Sequence, residues 1–255
     1  MRRVALSLIA ILVIIAIVGC SPKGDPKKTL EAYYTNISNG NFGAAYDLLS
    51  EVDKKTTSQE DFVLCMTLNA ELYKLNETII TQAEKSSNTI VFDVTEKQFD
   101  YTEDRESSVS YKRSVIAENG EWKVFADKNF GERIAGIQNN IAWLYLEGRG
   151  GKKKNGNEAA KWFNQALERD PSSYLANYGL SVAYMRLGRL DDAIVAANKF
   201  VRATNDKSEQ SDGYNVIGLC YESKGDREKA KEAYQKAVAL NPKNEYAKTN
   251  LNNVR

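Results

Sequence analysis

The apolar positions of this chain fall into three regimes with different periods. The first is an unbroken run from Val4 to Val18, interrupted only by Ser7, which follows Arg2 and Arg3 and ends at Gly19-Cys20. Fifteen helical residues at about 1.5 Å each reach roughly 22 Å, short of the roughly 30 Å hydrocarbon core of a bilayer. A basic start, a short apolar stretch and a small residue at its end read as a secretory leader rather than a spanning helix.

The second regime, residues 26–130, switches once from helical spacing to period two. Pro26 opens a helix in which Leu30, Tyr33, Tyr34 and Ile37 recur on one face, ending at Asn39-Gly40. Asn41 caps a second helix carrying Phe42, Ala45, Tyr46, Leu48 and Leu49. Ser58 and Asp61 form a capping pair for a third helix running through Phe62 and Met66 to Tyr73. Thr78–Glu84, Thr89–Tyr101, Val109–Ala117 and Glu121–Ala126 are rich in β-branched and aromatic residues and read as strands. Asn119-Gly120 predicts a tight hairpin between the last two. Helices followed by an antiparallel meander predict an α+β unit with the sheet wrapped over the helices. Trp122 and Phe125 alternate across the last strand, so one ring is expected inside.

The third regime is helical and repeats itself. Ser211–Asn244 carries Tyr214, Ile217, Gly218, Tyr221, Gly225, Ala230, Tyr234, Ala237 and Pro242. Small residues at 218, 230 and 237 allow two helices to approach closely, Gly225-Asp226 makes the turn, and Asn241-Pro242 stops the second helix. Tyr174–Lys207 repeats the pattern through Leu180, Tyr184, Gly188, Ala193 and Phe200, with Ser181 and Ala197 replacing the usual glycine and aromatic residue. Farther upstream, Ile141–Gly150 leads through a basic loop to Ala159–Ala166, and Glu245–Val254 reads as a terminal capping helix. The predicted organisation is a leader over 1–19, a short tether over 20–26, an α+β domain over 27–130, and about three helical repeats over 131–255.

Three resemblances rest on these residues. Ile17-Val18-Gly19-Cys20 resembles the lipobox of bacterial lipoproteins. That resemblance implies that the Cys20 sulfur takes a diacylglyceryl group, that cleavage precedes it, and that the new amine is usually acylated. Two or three acyl chains at about 0.8 kcal/mol per buried methylene make a lasting anchor. It also implies a place in the cell envelope, on the extracytoplasmic side of a membrane. Ser21 after the cysteine resembles the signal for passage to the outer membrane, where the organism has one.

The helix with Ala32-Tyr33-Tyr34, the phrase Asn41–Ser50 and the closing Glu118–Val124 are similar to the NTF2-like superfamily, with small lipoprotein-associated members of unknown function as nearest kin. The expected fold is a cone of helices packed on a curved antiparallel sheet. Ketosteroid isomerases and dehydratases of that superfamily enclose an active site in the cone. They rely on a pocket Asp with Tyr or His partners, and no Asp is assignable to the cavity here. Tyr46, Tyr73, Tyr101 and Tyr111 read first as core.

The back half resembles tetratricopeptide repeats, with a Sel1-like repeat at its start. The resemblance implies a superhelix whose inner groove is lined by the first helix of each pair. It places that groove on Leu175, Tyr178, Val182, Met185 and Arg186 of the middle repeat, and on Asp212, Asn215, Leu219 and Glu222 of the last. The carboxylate clamp of chaperone-binding repeat proteins requires Lys, Asn and Arg at several of these places. Asp212 and Val216 occupy clamp positions, so that activity is not implied.

Composition narrows the chemistry. With 42% apolar and 27% charged residues the chain is that of a globular protein, and about 235 residues after the leader suit two units. Residues 27–130 hold 12 Lys/Arg against 18 Asp/Glu, a net of −6, and residues 131–255 hold 20 against 15, a net of +5. Opposite charges on the halves suggest mutual attraction or an attracted partner, and the basic half lacks the patterning for nucleic acid. Lys23, Lys27 and Lys28 add charge near the tether, as solubility or as attraction to headgroups. There is no histidine, which removes the commonest general base and the commonest zinc ligand. Cys65 and Cys220 lie in apolar runs and read as small buried hydrophobes, with a disulfide between them as the alternative. Gly148–Lys154 lacks the phosphate-loop spacing and a preceding strand, so it reads as an inter-helix loop whose lysines face an acidic partner or headgroups.

The leading functional expectation is a non-enzymatic, membrane-anchored interaction module, needing no cofactor or metal, with a protein or peptide partner in the repeat groove. The alternative is a small-ligand-binding or enzymatic cone with the repeats mediating oligomerisation. A third is an envelope structural protein whose repeats pair with copies of themselves.

Overall fold

The computed structural model describes residues 22–254; the leader and Cys20 lie outside the described residues. Four helices come first: α1 (Pro26–Ser38), α2 (Phe42–Asp47), α3 (Glu51–Thr56) and α4 (Gln59–Asn69). Asp25, Ser50 and Ser58 cap α1, α3 and α4 with their side-chain oxygens. The short α3 is not signalled by the apolar pattern. Buried Asp53 fixes it in place by accepting from the Ser50 hydroxyl at 2.7 Å and from the amides of Ala126 and Asp127 at 2.8 and 3.0 Å.

A four-stranded antiparallel meander follows, in the order β1 (Tyr73–Lys85), β2 (Thr89–Asp100), β3 (Arg105–Glu118) and β4 (Glu121–Phe125). Tyr73, expected at the end of the third helix, instead begins β1, because Ala70 closes α4 and the chain turns at Glu71-Leu72. Asn119 and Gly120, at φ +50° and +80°, make the expected hairpin. The inner face of the sheet changes character along its length. Ile90, Phe92 and Val94 of β2 and Val115 of β3 are buried in the front core. Continuing at period two, the same faces carry Glu96 and Gln98 on β2, and Arg113 and Tyr111 on β3. Trp122 packs on this core.

Seven helices complete the chain: α5 (Phe130–Glu147), α6 (Gly156–Arg169), α7 (Tyr174–Arg186), α8 (Leu190–Ala203), α9 (Lys207–Ser223), α10 (Arg227–Leu240) and α11 (Glu245–Asn253). They pack as successive antiparallel pairs closed by α11. Small residues set the crossings. A Cβ on Gly179 would lie 2.2 Å from the Phe163 ring, and one on Gly218 would lie 2.4 Å from the Tyr234 ring. Only glycine admits those two aromatic rings against the helix backbone.

Helix α5 belongs to both cores. Phe130, Ile134, Ile137, Ile141 and Leu144 are buried with the front domain, while Ala142 and Leu146 are buried with the repeats. Opposite charges meet across the same boundary. Arg169 pairs with Asp61 at 2.8 Å, Lys152 pairs with Glu71, and Arg149 donates to the Thr102 carbonyl. The basic loop after α5 therefore docks on the acidic front half. Cys65 and Cys220 are free and buried, each in its own core, and form no disulfide. No described helix is long and apolar enough to cross a membrane.

Candidate functional site

Two surfaces carry candidate chemistry, and the first is the inner face of the repeats. Ser173 caps α7 and Asp206 caps α9, fixing where each helix begins and hence which residues it turns toward its neighbour. Leu175 is 48% exposed. Tyr178 is half-buried, its ring 6.1 Å from that of Trp143 and 4.8 Å from that of Phe200. Met185 and Leu219 are half-buried, whereas Val182 is buried at 8% in the repeat core and offers little surface.

The charged members of the expected groove are engaged within the array. Arg186 donates to the Leu146 carbonyl of the preceding repeat at 2.6 Å. Asp212 accepts from the Asn244 side chain, and Asn215 from Asn250 of α11, each at 2.9 Å. Glu222 accepts from the Tyr234 hydroxyl of α10 at 2.7 Å. Burial, and then the charge of Asp212, raise the Tyr178 hydroxyl above its ordinary value. Burial likewise raises the Asp212 carboxyl. Trp143, absent from the groove that the resemblance implies, extends the aromatic surface onto α5. Its signal was its place on the first helix of its pair, where Val182 and Leu219 stand in the later repeats.

The second surface is a cavity of about 680 Å³ inside the front cone, between α1, α4, the first three strands and the start of α5. Its polar centre is Tyr111. The Tyr111 hydroxyl lies 2.8 Å from that of Tyr34 and donates to the Glu96 carboxylate. Arg113, 6% exposed, donates to the Ala126 carbonyl at 2.5 Å and to the Tyr34 hydroxyl at 3.5 Å, with its guanidinium 5.1 Å from the Tyr111 ring centre. Lys128 stands at the rim, open to solvent on one side, with its ammonium 5.4 Å from the same ring. Arg133, exposed in the first turn of α5, lines the wall beside it.

Burial raises the hydroxyls of Tyr33, Tyr34 and Tyr111 above their ordinary range. Burial first, then the charges of Arg113 and Arg133, hold the Lys128 ammonium below its ordinary value. Of the four tyrosines singled out in the sequence, Tyr73, Tyr101 and Tyr111 line this cavity, while Tyr46 packs on the Phe62 ring. Among the described residues no group of three His, Cys, Asp or Glu side chains is placed to hold a metal ion.

Comparison with known proteins follows the same division of the chain. Residues 25–130 match the family described as "NTF2-like N-terminal transpeptidase domain". Residues 154–208 and 211–244 each match a family described as "Tetratricopeptide repeat". The "Hsp70-Hsp90 organizing protein" of Triticum aestivum is 33% identical over 94 residues, covering 37% of this chain and 16% of that protein. The "Intraflagellar transport protein 88 homolog" of Homo sapiens is 32% identical over 111 residues, covering 41% of this chain and 12% of that protein. The match therefore spans less than a fifth of either relative.

Among solved structures, the first TPR domain of the human RPAP3 protein aligns with a TM-score of 0.42 at 22% identity, covering 48% of this chain and 90% of that one. The TPR domain of Arabidopsis OM64 aligns with a TM-score of 0.44 at 17% identity, covering 49% and 97%. The chain carries an NTF2-like N-terminal domain followed by tetratricopeptide repeats.

Proposed function

We propose that this chain is a lipid-anchored extracytoplasmic protein, without catalysis of its own, whose repeats bind a protein or peptide partner on their inner face. The observation that carries this reading is the composition of that face. Leu175, Tyr178, Met185 and Leu219 present apolar surface, and Arg186, Asp212 and Glu222 stand exposed beside them, each held in position by a hydrogen bond inside the array. A face of this kind suits the apolar side of a helix or an extended segment, read through side-chain pockets rather than through a terminal carboxylate. The relative named for organising Hsp70 and Hsp90 supports protein binding as the activity of the repeats. Asp212 and Val216 at clamp positions argue against a chaperone-tail ligand.

The anchor rests on the leader, the small Gly19 and Cys20. Fatty-acid labelling of the native chain should mark it, and Cys20→Ser should abolish the mark; a mature chain that keeps its initial methionine overturns the anchor. For the repeats, a photoreactive side chain at position 175 should crosslink one defined partner in the envelope. Leu175→Asp, on a surface position, and the pair Tyr178→Ala with Leu219→Ala should both remove that crosslink from the neighbouring position 185. Unchanged crosslinking in both variants rules the face out.

A further inference from the structure

The front domain is acidic, yet its cavity is cationic. Of the 18 acidic residues in 27–130, Glu96 alone lines the cavity, against Lys74, Arg113, Lys128 and Arg133. The lining thus carries a net charge of +3: +2 from residues 27–130, whose net charge is −6, and +1 from Arg133 of α5. Among the described residues none of these four cations forms an ion pair. The one carboxylate is already held by the Tyr111 hydroxyl. Arg113 is buried without a carboxylate partner, while Lys74, Lys128 and Arg133 line the solvent-exposed part of the cavity. A buried cation is unfavourable unless an opposite charge completes it, and burial with the charges of Arg113 and Arg133 lowers the Lys128 ammonium beside it.

Two further features point the same way. Lys128 and Arg133 flank the N-terminus of the 18-residue α5, whose dipole favours an anion at that end. Ile37, Phe42, Met66 and Phe130 give the remainder of the cavity an apolar wall. Its volume lies within the roughly 300–1,000 Å³ of small-molecule sites.

We propose that the cone binds a small amphipathic anion. Its head, a carboxylate or a phosphate, lies among Arg113, Lys128 and Arg133, and its apolar body lies against the wall formed by α1, α4 and Phe130. Tyr34 orients the head by turning its hydroxyl proton from Tyr111 toward it, while the Tyr111 proton stays on Glu96, which fixes that ring beside the site.

The test is titration calorimetry of the full chain in phospholipid nanodiscs, with empty nanodiscs subtracted, against four probes of one shape. These are 2-naphthoate, 2-naphthyl phosphate, 2-naphthylmethylamine and 2-naphthalenemethanol. Saturable one-site binding of either anion, at least tenfold tighter than the amine and the alcohol, supports the proposal, and the tighter anion identifies the head group. Because Arg113 is buried and its loss endangers folding, the decisive variants are the rim substitutions Lys128→Gln and Arg133→Gln. Each should weaken the anion at least fivefold and leave the thermal midpoint within a few degrees of the parent. Binding of the amine or alcohol as tight as that of the anions, no saturable binding by any probe, or anion binding unchanged in both variants overturns it.

Discussion

The two halves of this protein solve the packing problem in opposite ways. The repeats bury polar groups only where they are uncharged, as at Asn177, Ser181 and Ser211, and bring helices together over glycine and alanine: Gly179 against Phe163, Gly218 against Tyr234, and Ala159, Ala183 and Ala237 without exposure. The front domain brings its polar groups inside, around Tyr34, Glu96, Tyr111 and Arg113, and leaves a cavity beside them. A repeat array places each surface by a local rule that recurs, so its recognition face is set by side chains one helix away. The cone places its interior chemistry by strand register, which couples residues far apart in the chain.

Variants that alter one mode and not the other test this contrast. The largest effect is expected from Phe163→Ala, which empties a fully buried ring position; it should cost about 3–5 kcal/mol in urea melts. A loss below about 1 kcal/mol would mean that the repeat interior is not close-packed. Gly179→Ala drives a methyl group into the same ring and should cost roughly 1–3 kcal/mol. Combined with Phe163→Leu, it should cost measurably less than the sum of the two singles, because the sites share one space; additivity would refute the contact.

The front domain should instead show itself in alkali. Buried Tyr33, Tyr34 and Tyr111 keep their protons in the fold at pH values where the unfolded chain loses them. Their contribution is whole below about pH 10 and is lost as pH rises above it. Each such tyrosine steepens the decline by about 1.4 kcal/mol per pH unit. Tyr111→Phe should remove one such increment from the slope measured between pH 10 and 11, and an identical slope in parent and variant would place Tyr111 in solvent. The smallest effect belongs to the exposed pair between the halves. Arg169→Gln should cost less than about 1 kcal/mol and should fade in high salt; a larger loss would make charge rather than α5 the main link between the halves.

The same contrast explains what could be read from the sequence. The repeat signature is a set of small and aromatic residues at fixed local spacing, so its helices and turns follow from the residues themselves. The four strands and the Asn119-Gly120 hairpin follow from period-two patterning for the same reason. The boundary between α4 and β1 does not, since no glycine or proline marks the turn at Ala70-Glu71-Leu72 and Tyr73 suits either period. The short α3 depends on the buried contacts of Asp53 with Ala126 and Asp127, more than seventy residues away. The cavity was the least legible feature. Its members come from α1, β2, β3 and the start of α5, and tyrosines at these spacings read as core. One local clue existed: Arg113 and Tyr111 share strand parity with buried Val115, which places a cation on the inward face. On the repeats, the expected groove residues are what the family resemblance implies, and the hydrogen bonds of Arg186, Asp212 and Glu222 depend on neighbouring helices.

One helix determines how this protein comes apart. Five large side chains of α5 complete the front core, and the opposite side of the same rod seats the first repeat pair. Neither half is self-sufficient without it, so a cut at residue 130 would strip the front half of its lid, and any exchange of modules between related genes must carry α5 along. Melting should accordingly register as one event rather than two, and a load pulling on the last repeat would be felt at the mouth of the cone.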